Sequence, residues 1–371
     1  MMQSKIDSFI ILVDERNKEN HDYPVLGINK DKTFMPTAAN MEGIDTCKYK
    51  VVKKGTFVFS GMQTGRDMCI RIGLYDKDIP ALISPAYTTF VLDEAKGVIP
   101  EYFFLTFNRE ESDRYGAFIS DSSVRANLDW NRFLDIEIPL PSLAEQQKVV
   151  NAWKALREIK EQNEAIAAPL MQVCQSYIQE LKHGQTLYKR IGDYIKIFDK
   201  TNKDGKNYPV YGLNKDKTFM PTVANTENIN LNKYKIVEKG LFAYSGMQTG
   251  RDVCIRIAYY DMDSPALISP AYSTFIIEEQ KGIISEYFML LFKHSEMDRL
   301  GWFYSDSSVR SNLDWSRFVD IQIPLPSLSV QQAIVNIYNC ANEAKRIAAE
   351  ADRMSREVCP ALIQHVIHYK Y

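Results

Sequence analysis

The sequence predicts an α+β protein built from two copies of one globular domain, separated by two long antiparallel helices and related by a pseudo-two-fold axis. Three observations carry this prediction. A repeat with a constant offset of 185 residues runs through the chain: Tyr23-Pro24-Val25 returns as Tyr208-Pro209-Val210, and Ser60-Gly61-Met62-Gln63-Thr64-Gly65-Arg66-Asp67 returns at 245–252. Within each copy, short β-branched and aromatic runs are broken by Gly, Pro, Asn and Asp, as strands and turns require. Each copy then ends in a long stretch with apolar residues at three- and four-residue spacing, the mark of a helix with one buried face.

The repeat also relates Asn29-Lys30-Asp31-Lys32-Thr33 to 214–218, Ala81-Leu82-Ile83-Ser84-Pro85-Ala86-Tyr87 to 266–272, and Ser120-Asp121-Ser122-Ser123-Val124-Arg125 to 305–310. Twice 185 nearly exhausts the 371 residues. A unit this long is a whole domain plus a connector, not a solenoid repeat of roughly 20–50 residues. In the first copy Phe57-Val58-Phe59, Cys69-Ile70-Arg71-Ile72, Thr88-Thr89-Phe90-Val91-Leu92 and Ile136-Glu137-Ile138 read as strands, and 100–111 as one helix.

The connector helix starts at Ser142, which with Glu145 forms a capping box. Its expected seam is Val149, Trp153, Leu156, Asn163, Ile166, Leu170, Val173 and Tyr177. At 1.5 Å per residue, 145–183 would be roughly 58 Å long. Pro169 should kink or break it, and Gly184 should end it. The second connector starts at Ser327 and carries Ile334, Tyr338, Ala341, Ala348 and Val358, with Val330 in place of the capping glutamate. Two such seams in one chain bury each other economically; docking of each helix on its own domain is the alternative.

Composition is that of an ordinary globular protein, 45% hydrophobic and 25% charged. No apolar run reaches the roughly 18 residues of a membrane span, and the N-terminus has no secretory pattern, so a cytoplasmic protein is expected. Cys47, Cys69, Cys174, Cys254, Cys340 and Cys359 are dispersed without ligand spacing and read as small buried hydrophobes. A net charge of −2 neither demands nor excludes nucleic acid, because a local cationic patch suffices for phosphates. No phosphate-binding loop, nucleophile elbow or zinc-protease motif is present. His365 and His368 stand at a metal-compatible spacing, but their repeat counterparts are Glu180 and His183, and solvated helix-end residues are the preferred reading. No catalytic residue, cofactor or metal is assigned.

The best-repeated segments are polar loops. Gln63 and Gln248 can read adenine, Arg66 and Arg251 can read guanine, and Thr64, Thr249, Ser123 and Ser308 can serve base or phosphate. Lys30, Lys32, Lys215 and Lys217 offer phosphate contacts, and Tyr87, Tyr272, Arg125 and Arg310 complete the candidate DNA-binding set. The bland reading is that Gly61, Gly65 and Asp67 only shape a turn and that Arg125 pairs with Asp121 or Asp129.

The helix approach Asp135-Ile136-Glu137-Ile138-Pro139-Leu140-Pro141-Ser142-Leu143-Ala144-Glu145-Gln146-Gln147, its copy over 320–332, the segment Asn127-Leu128 to Phe133, and Arg190-Ile191-Gly192-Asp193-Tyr194-Ile195 together resemble the specificity subunits of type I restriction–modification enzymes. The first copy departs from that pattern at its opening, Lys5-Ile6-Asp7-Ser8, and the second at Ser329-Val330-Gln331-Gln332. The resemblance implies target recognition domains over 1–142 and 185–327, with long helices over 143–184 and 328–371. It further implies that each domain reads one half of a bipartite site in double-stranded DNA. The helices would dock methyltransferase subunits, expected to be two, with Trp153, Leu156, Ile166 and Tyr338 as candidate contacts. Those partners would bind S-adenosylmethionine and methylate adenine, and a motor-nuclease restriction subunit would cleave unmodified DNA.

One expectation goes beyond the resemblance. The candidate reading residues are the same in both domains, so two equal readers should read an inverted repeat. Ala117 against Trp302 and Ile119 against Tyr304 are the differences that could make the halves unequal. Two other classes compete. A twin-domain scaffold bridging proteins would show exposed apolar patches and no salt-dependent DNA affinity. A nuclease or methyltransferase would need a motif the sequence lacks.

Overall fold

The computed structural model describes residues 3–121, 123–183, 187–223, 225 and 229–368. Ser122 and Gly184 lie outside the described residues, as do the side chains of His183 and His368. The chain divides into two compact units, 1–163 with 347–371, and 164–346. Each therefore contains one globular domain, the start of the helix that follows it, and the end of the other long helix.

In the first unit, strands Ile10–Leu12, Thr88–Leu92, Phe57–Ser60 and Arg71–Leu74 form an antiparallel sheet in that order. A mixed sheet runs Phe34–Pro36, Val25–Ile28, Ala81–Ile83, Lys50–Val52, its central pair parallel with Val25 opposite Leu82. The strand Phe57–Ser60 is buried on both faces, and the period of two divides its side chains between two cores. Phe57 and Phe59 join Phe90, Phe103, Phe107 and Phe133, whereas Val58 joins Val52, Tyr75, Ala81 and Ile83. Gln3–Lys5 pairs with Glu137–Pro139, which brings the start of the domain to its exit. In the second unit the domain repeats this topology strand for strand.

Two local expectations change. The helix expected over 100–111 is two helices, Pro100–Phe107 and Glu110–Phe118. The first is buried from Tyr102 to Phe107, the second has only Gly116 buried, and Arg109 between them is extended, so the chain turns as it leaves the core. Cys69 and Ile70 precede their strand instead of belonging to it, because the Ile70 N–H donates to Asp113 and the Cys69 thiol to the Lys30 carbonyl.

The long helices run unbroken over Leu143–His183 and Leu328–His368, each with an internal proline, Pro169 and Pro360. Pro169 is on the exposed side, where the carbonyl it leaves unbonded meets water. The capping box forms, with the Ser142 N–H donating to Glu145 at 3.0 Å and the Glu145 N–H to Ser142 Oγ at 3.4 Å.

Both packing alternatives are realised at once. Gln146 is fully buried; it accepts from the Ile99 N–H (2.9 Å) and donates to the carbonyls of Gly97 and Pro141 (2.9 Å each), docking the helix start on its own domain. Val149 and Val150 then pack with Ile363 from the end of the second helix, and Lys160 pairs with Asp352 at 2.8 Å, an antiparallel register. In the second unit Gln331 makes the same three bonds, and Ile334 and Val335 share a core with Ile178. The long helices pack together.

Val149, Ile334, Ala341 and Ala348 are buried as expected, but the first helix leaves its expected seam in its second half. Ile166 (51% exposed), Val173 and Tyr177 face outward, and Ala167, Cys174 and Ile178 are buried instead. On the second helix Ala341, Ala344, Ala348, Ala351 and Cys359 are buried. Small side chains permit close helix approach, and that approach, not hydrophobicity alone, selects the face. Of the cysteines, Cys340 is exposed and Cys47 only half-buried, contrary to the expectation of burial.

Candidate nucleic-acid interface

Three loops meet at one end of the four-stranded antiparallel sheet of each domain. In the first, strand Phe57–Ser60 runs into a tight turn and one turn of helix, Thr64–Asp67, flanked by Gln63 (φ 59°) and Met68 (φ 51°) in the left-handed region. The second loop, 120–127, closes over it. The Leu128 N–H donates to the Gly61 carbonyl (2.8 Å), the Gly65 N–H to Ala126 O (2.8 Å), and the Gln63 N–H to Asn127 Oδ1 (2.9 Å). The approach explains Gly61: a Cβ there would lie 1.7 Å from the Leu128 carbonyl oxygen. The third loop carries Lys30, whose carbonyl accepts from Cys69 and whose ammonium lies 3.5 Å from Asp67.

Two carboxylates organise the cluster. Asp121 accepts from the Ser123 hydroxyl (2.5 Å), the Ser123 N–H (3.1 Å) and the Asn127 N–H (3.0 Å), and the serine hydroxyl above all holds its carboxyl below the usual aspartate range. Asp67 is mostly enclosed. Burial pushes its pKa up, but Lys30, Arg71 and Arg66 together bring it below the ordinary value, so it stays ionised at the centre of a fan of cations.

The structure sorts the predicted DNA-binding residues. Lys30, Gln63, Arg66, Ser123 and Arg125, and likewise Lys215, Gln248, Arg251, Ser308 and Arg310, belong to the clustered loops. Arg66 and Arg125 are exposed, and Arg125 enters no ion pair among the described residues, because Asp129 pairs with Arg132 at 3.2 Å and Asp121 holds its own loop. Arg310 is equally exposed.

Four assignments are corrected, those of Lys32, Lys217, Thr64 and Thr249. Lys32 and Lys217 are buried and ion-paired at 2.7 Å with Asp113 and Asp298, so their charge is spent inside the domain and does not reach a phosphate. Thr64 and Thr249 are fully buried, their hydroxyls donating to the carbonyls of Gly61 and Gly246 at 3.1 Å. Tyr87 and Tyr272 are half-buried against the mixed-sheet cores, and Tyr272 OH accepts from the Leu213 N–H at 3.4 Å.

The candidate partner contacts also divide. Trp153 is half-buried with Arg157 over its ring at 5.5 Å, and the Tyr338 hydroxyl accepts from Lys293 at 2.6 Å, so both are engaged within their own units. Leu156 is half-buried and Ile166 is exposed.

Sequence reasoning missed Arg71 and Arg256, which pair with Asp67 and Asp252 inside the cluster. It also passed over Val124 and Val309, each 99% exposed, and Phe118 and Phe303. Each matches its counterpart at the 185-residue offset, which is the signal that could have found them. The surface so built offers amide, guanidinium, ammonium and hydroxyl groups on a braced backbone, suited to hydrogen-bonded recognition of an anionic polymer. Among the described residues no group of His, Cys, Asp or Glu could hold a metal ion, and no helix is long and apolar enough to cross a membrane.

The chain matches the family described as type I restriction modification DNA specificity domain twice, over residues 8–168 and 188–339. No curated protein matches it. Among solved structures it is similar to a type I restriction–modification system S subunit from M. genitalium, with a TM-score of 0.63 and 14% identity, covering 98% of this chain and 95% of that one. It also matches an HsdS subunit from Thermoanaerobacter tengcongensis (15% identity, TM-score 0.43, covering 100% and 97%). At such identities the M. genitalium likeness is one of fold.

Proposed function

The chain belongs to the type I restriction–modification DNA specificity family, and from that premise we propose that its two loop clusters read the two halves of a bipartite site in double-stranded DNA. The observation that carries this reading is the recurrence of the cluster. The bonds Gln63 N–H to Asn127 and Gln248 N–H to Asn312 are both 2.9 Å, and Gly65 and Gly250 donate to Ala126 and Ser311 at 2.8 Å each. Gln63 and Gln248 suit adenine; Arg66, Arg125, Arg251 and Arg310 suit guanine; Lys30 and Lys215 suit phosphates. Equal readers favour equal halves, hence an inverted repeat with a nonspecific spacer.

The long helices would fix the spacing and dock two methyltransferase subunits, with Leu156 and Ile166 the more open of the candidate contacts. Those subunits would carry S-adenosylmethionine and flip out the target adenine, and a motor-nuclease subunit would act on unmodified sites. This chain would choose the sequence and make no bond itself. A protein-bridging scaffold is the second reading, favoured by the exposed side chains of Val124, Val309, Phe118 and Phe303. The cations beside them favour DNA.

Selection of duplexes from a random pool by the assembled complex tests the choice. Enrichment of a gapped motif, with affinity falling by about 0.9 log unit per phosphate contact for each tenfold rise in salt, supports the DNA reading. A complex that assembles and enriches no sequence leaves the scaffold.

A further inference from the structure

The helix Glu110–Phe118 and its counterpart Ser295–Tyr304 end beside the reading loops in bare aromatic residues. Phe118 is 84% exposed and Phe303 is 74% exposed. The second domain adds Trp302 and Tyr304, also exposed, where the first has Ala117 and Ile119. Phe303 and Tyr304 meet edge to face with ring centroids 5.4 Å apart.

These rings stand on a rigid base. A Cβ on Gly116 would lie 2.4 Å from Ile70, and one on Gly301 would lie 2.4 Å from Ile255, so each helix backbone rests directly on its reading loop. The Ser120 hydroxyl donates to Gly116 O at 2.8 Å, and Arg132 donates to the Ile119 carbonyl at 3.0 Å; Ser305 and Arg317 repeat both bonds in the second domain. Two residues past Phe118, Ser120 is also among the nearest neighbours of Gly65 in the reading loop. The rings thus adjoin a cluster carrying exposed Arg66, Arg125 and Lys30, surroundings that fit a polyanion better than an apolar protein face.

We infer that Phe118 and Phe303 are wedge residues that enter or stack on a base step of the bound duplex, and that Trp302 and Tyr304 strengthen the grip of the second domain on its half-site. Apolar side chains inserted between base pairs partly unstack them and bend the duplex, which lets more protein surface reach the backbone. Sequence-reading residues can then be equal in both domains while the two halves are held with unequal strength. The inference rests on the DNA reading and deepens it.

The test uses the complex assembled with its methyltransferase subunits and the duplex recovered by selection, with 2-aminopurine placed in turn at each adenine and flanking position. Besides the flipped target adenine, the wild type should raise fluorescence at one further step in each half. Phe118→Ala should abolish the rise in one half and weaken binding roughly tenfold, the size of one base–aromatic stack. Phe303→Ala should do the same in the other half, and Phe118→Trp should restore the first. The double change Ala117→Trp and Ile119→Tyr should tighten the weaker half. If both alanine variants bind and unstack like the wild type while Arg66→Ala still weakens binding, the wedge is overturned and the DNA reading stands. If the wild-type complex binds no duplex sequence preferentially, both fall together.

Discussion

The two loop clusters share a backbone and differ at their rims. Below the surface they match: Lys32–Asp113 repeats as Lys217–Asp298, Asp121–Ser123 as Asp306–Ser308, and the thiols of Cys69 and Cys254 bond the carbonyls of Lys30 and Lys215. Above it they part. Arg251 donates to Gln248 Oε1 at 2.9 Å, tying two candidate reading residues together, while Arg66 lies 3.7 Å from Asp67 and Gln63 is held through its N–H by Asn127. Ala117 becomes Trp302 at the rim, and one buried position also differs, where Phe59 becomes Tyr244 and its hydroxyl donates to the Leu313 carbonyl at 2.6 Å. The shared bonds set where the reading groups stand. The differences change only how firmly each domain presents them.

The largest test of this division is in the buried pairs. Asp113→Ala leaves Lys32 charged and unpaired inside the domain and removes the acceptor of the Ile70 N–H. Its domain should lose about 3–5 kcal/mol of unfolding free energy, measured by denaturant titration. Asp298→Ala should cost less, because Lys217 also donates to the Phe292 carbonyl. Equal losses would mean that carbonyl contributes nothing.

Next come the glutamines that start the long helices. Gln146→Ala strands the Ile99 N–H and two carbonyls, and Gln331→Ala strands the same set in the second domain. Each should cost at least about 2 kcal/mol, since an unpaired buried group is worth roughly 1–3 kcal/mol. Similar losses in both domains are expected, and a large inequality would break the claim that the scaffolds are equivalent.

Arg66→Ala and Arg251→Ala should leave stability nearly unchanged and relax one base position in one half-site each, by about 1–3 kcal/mol in competition binding. Arg251→Ala should also loosen the position read by Gln248, because that side chain loses its brace. Full retained specificity in both variants would remove these loops as readers.

The smallest contrast lies at the helix caps. Ser142→Ala should cost about 1 kcal/mol in thermal unfolding, and Ser327→Ala less, because Val330 cannot return the bond that Glu145 makes.

Much of the fold was legible because repetition at a constant interval is independent of local propensity. The domain boundaries and the loop segments around Gln63 and Arg125 followed from it, while the capping box at Ser142 was read from the Ser142–Glu145 spacing of the first copy alone. What stayed hidden depends on closeness between distant residues. Lys32 reads as a surface cation until Asp113, 81 residues on, is folded against it. Thr64 reads as a free hydroxyl until the Gly61 turn encloses it. The helix seam offered two overlapping three-and-four patterns, and only the approach of a second alanine-lined helix decides for Ala167 and Cys174 over Ile166 and Val173. The repeat marks Phe118 and Phe303, but their exposure is hidden in sequence because an aromatic residue at a helix end is ordinarily buried.

The account turns on two equal readers in one chain, and a methylation map measures that directly. The chain is co-expressed with its methyltransferase subunit, and methylated adenines are located by long-read sequencing. The account predicts a gapped motif whose halves are inverted copies of each other. A gapped motif with unrelated halves would contradict it, and would place base choice in the rim residues that differ between the domains.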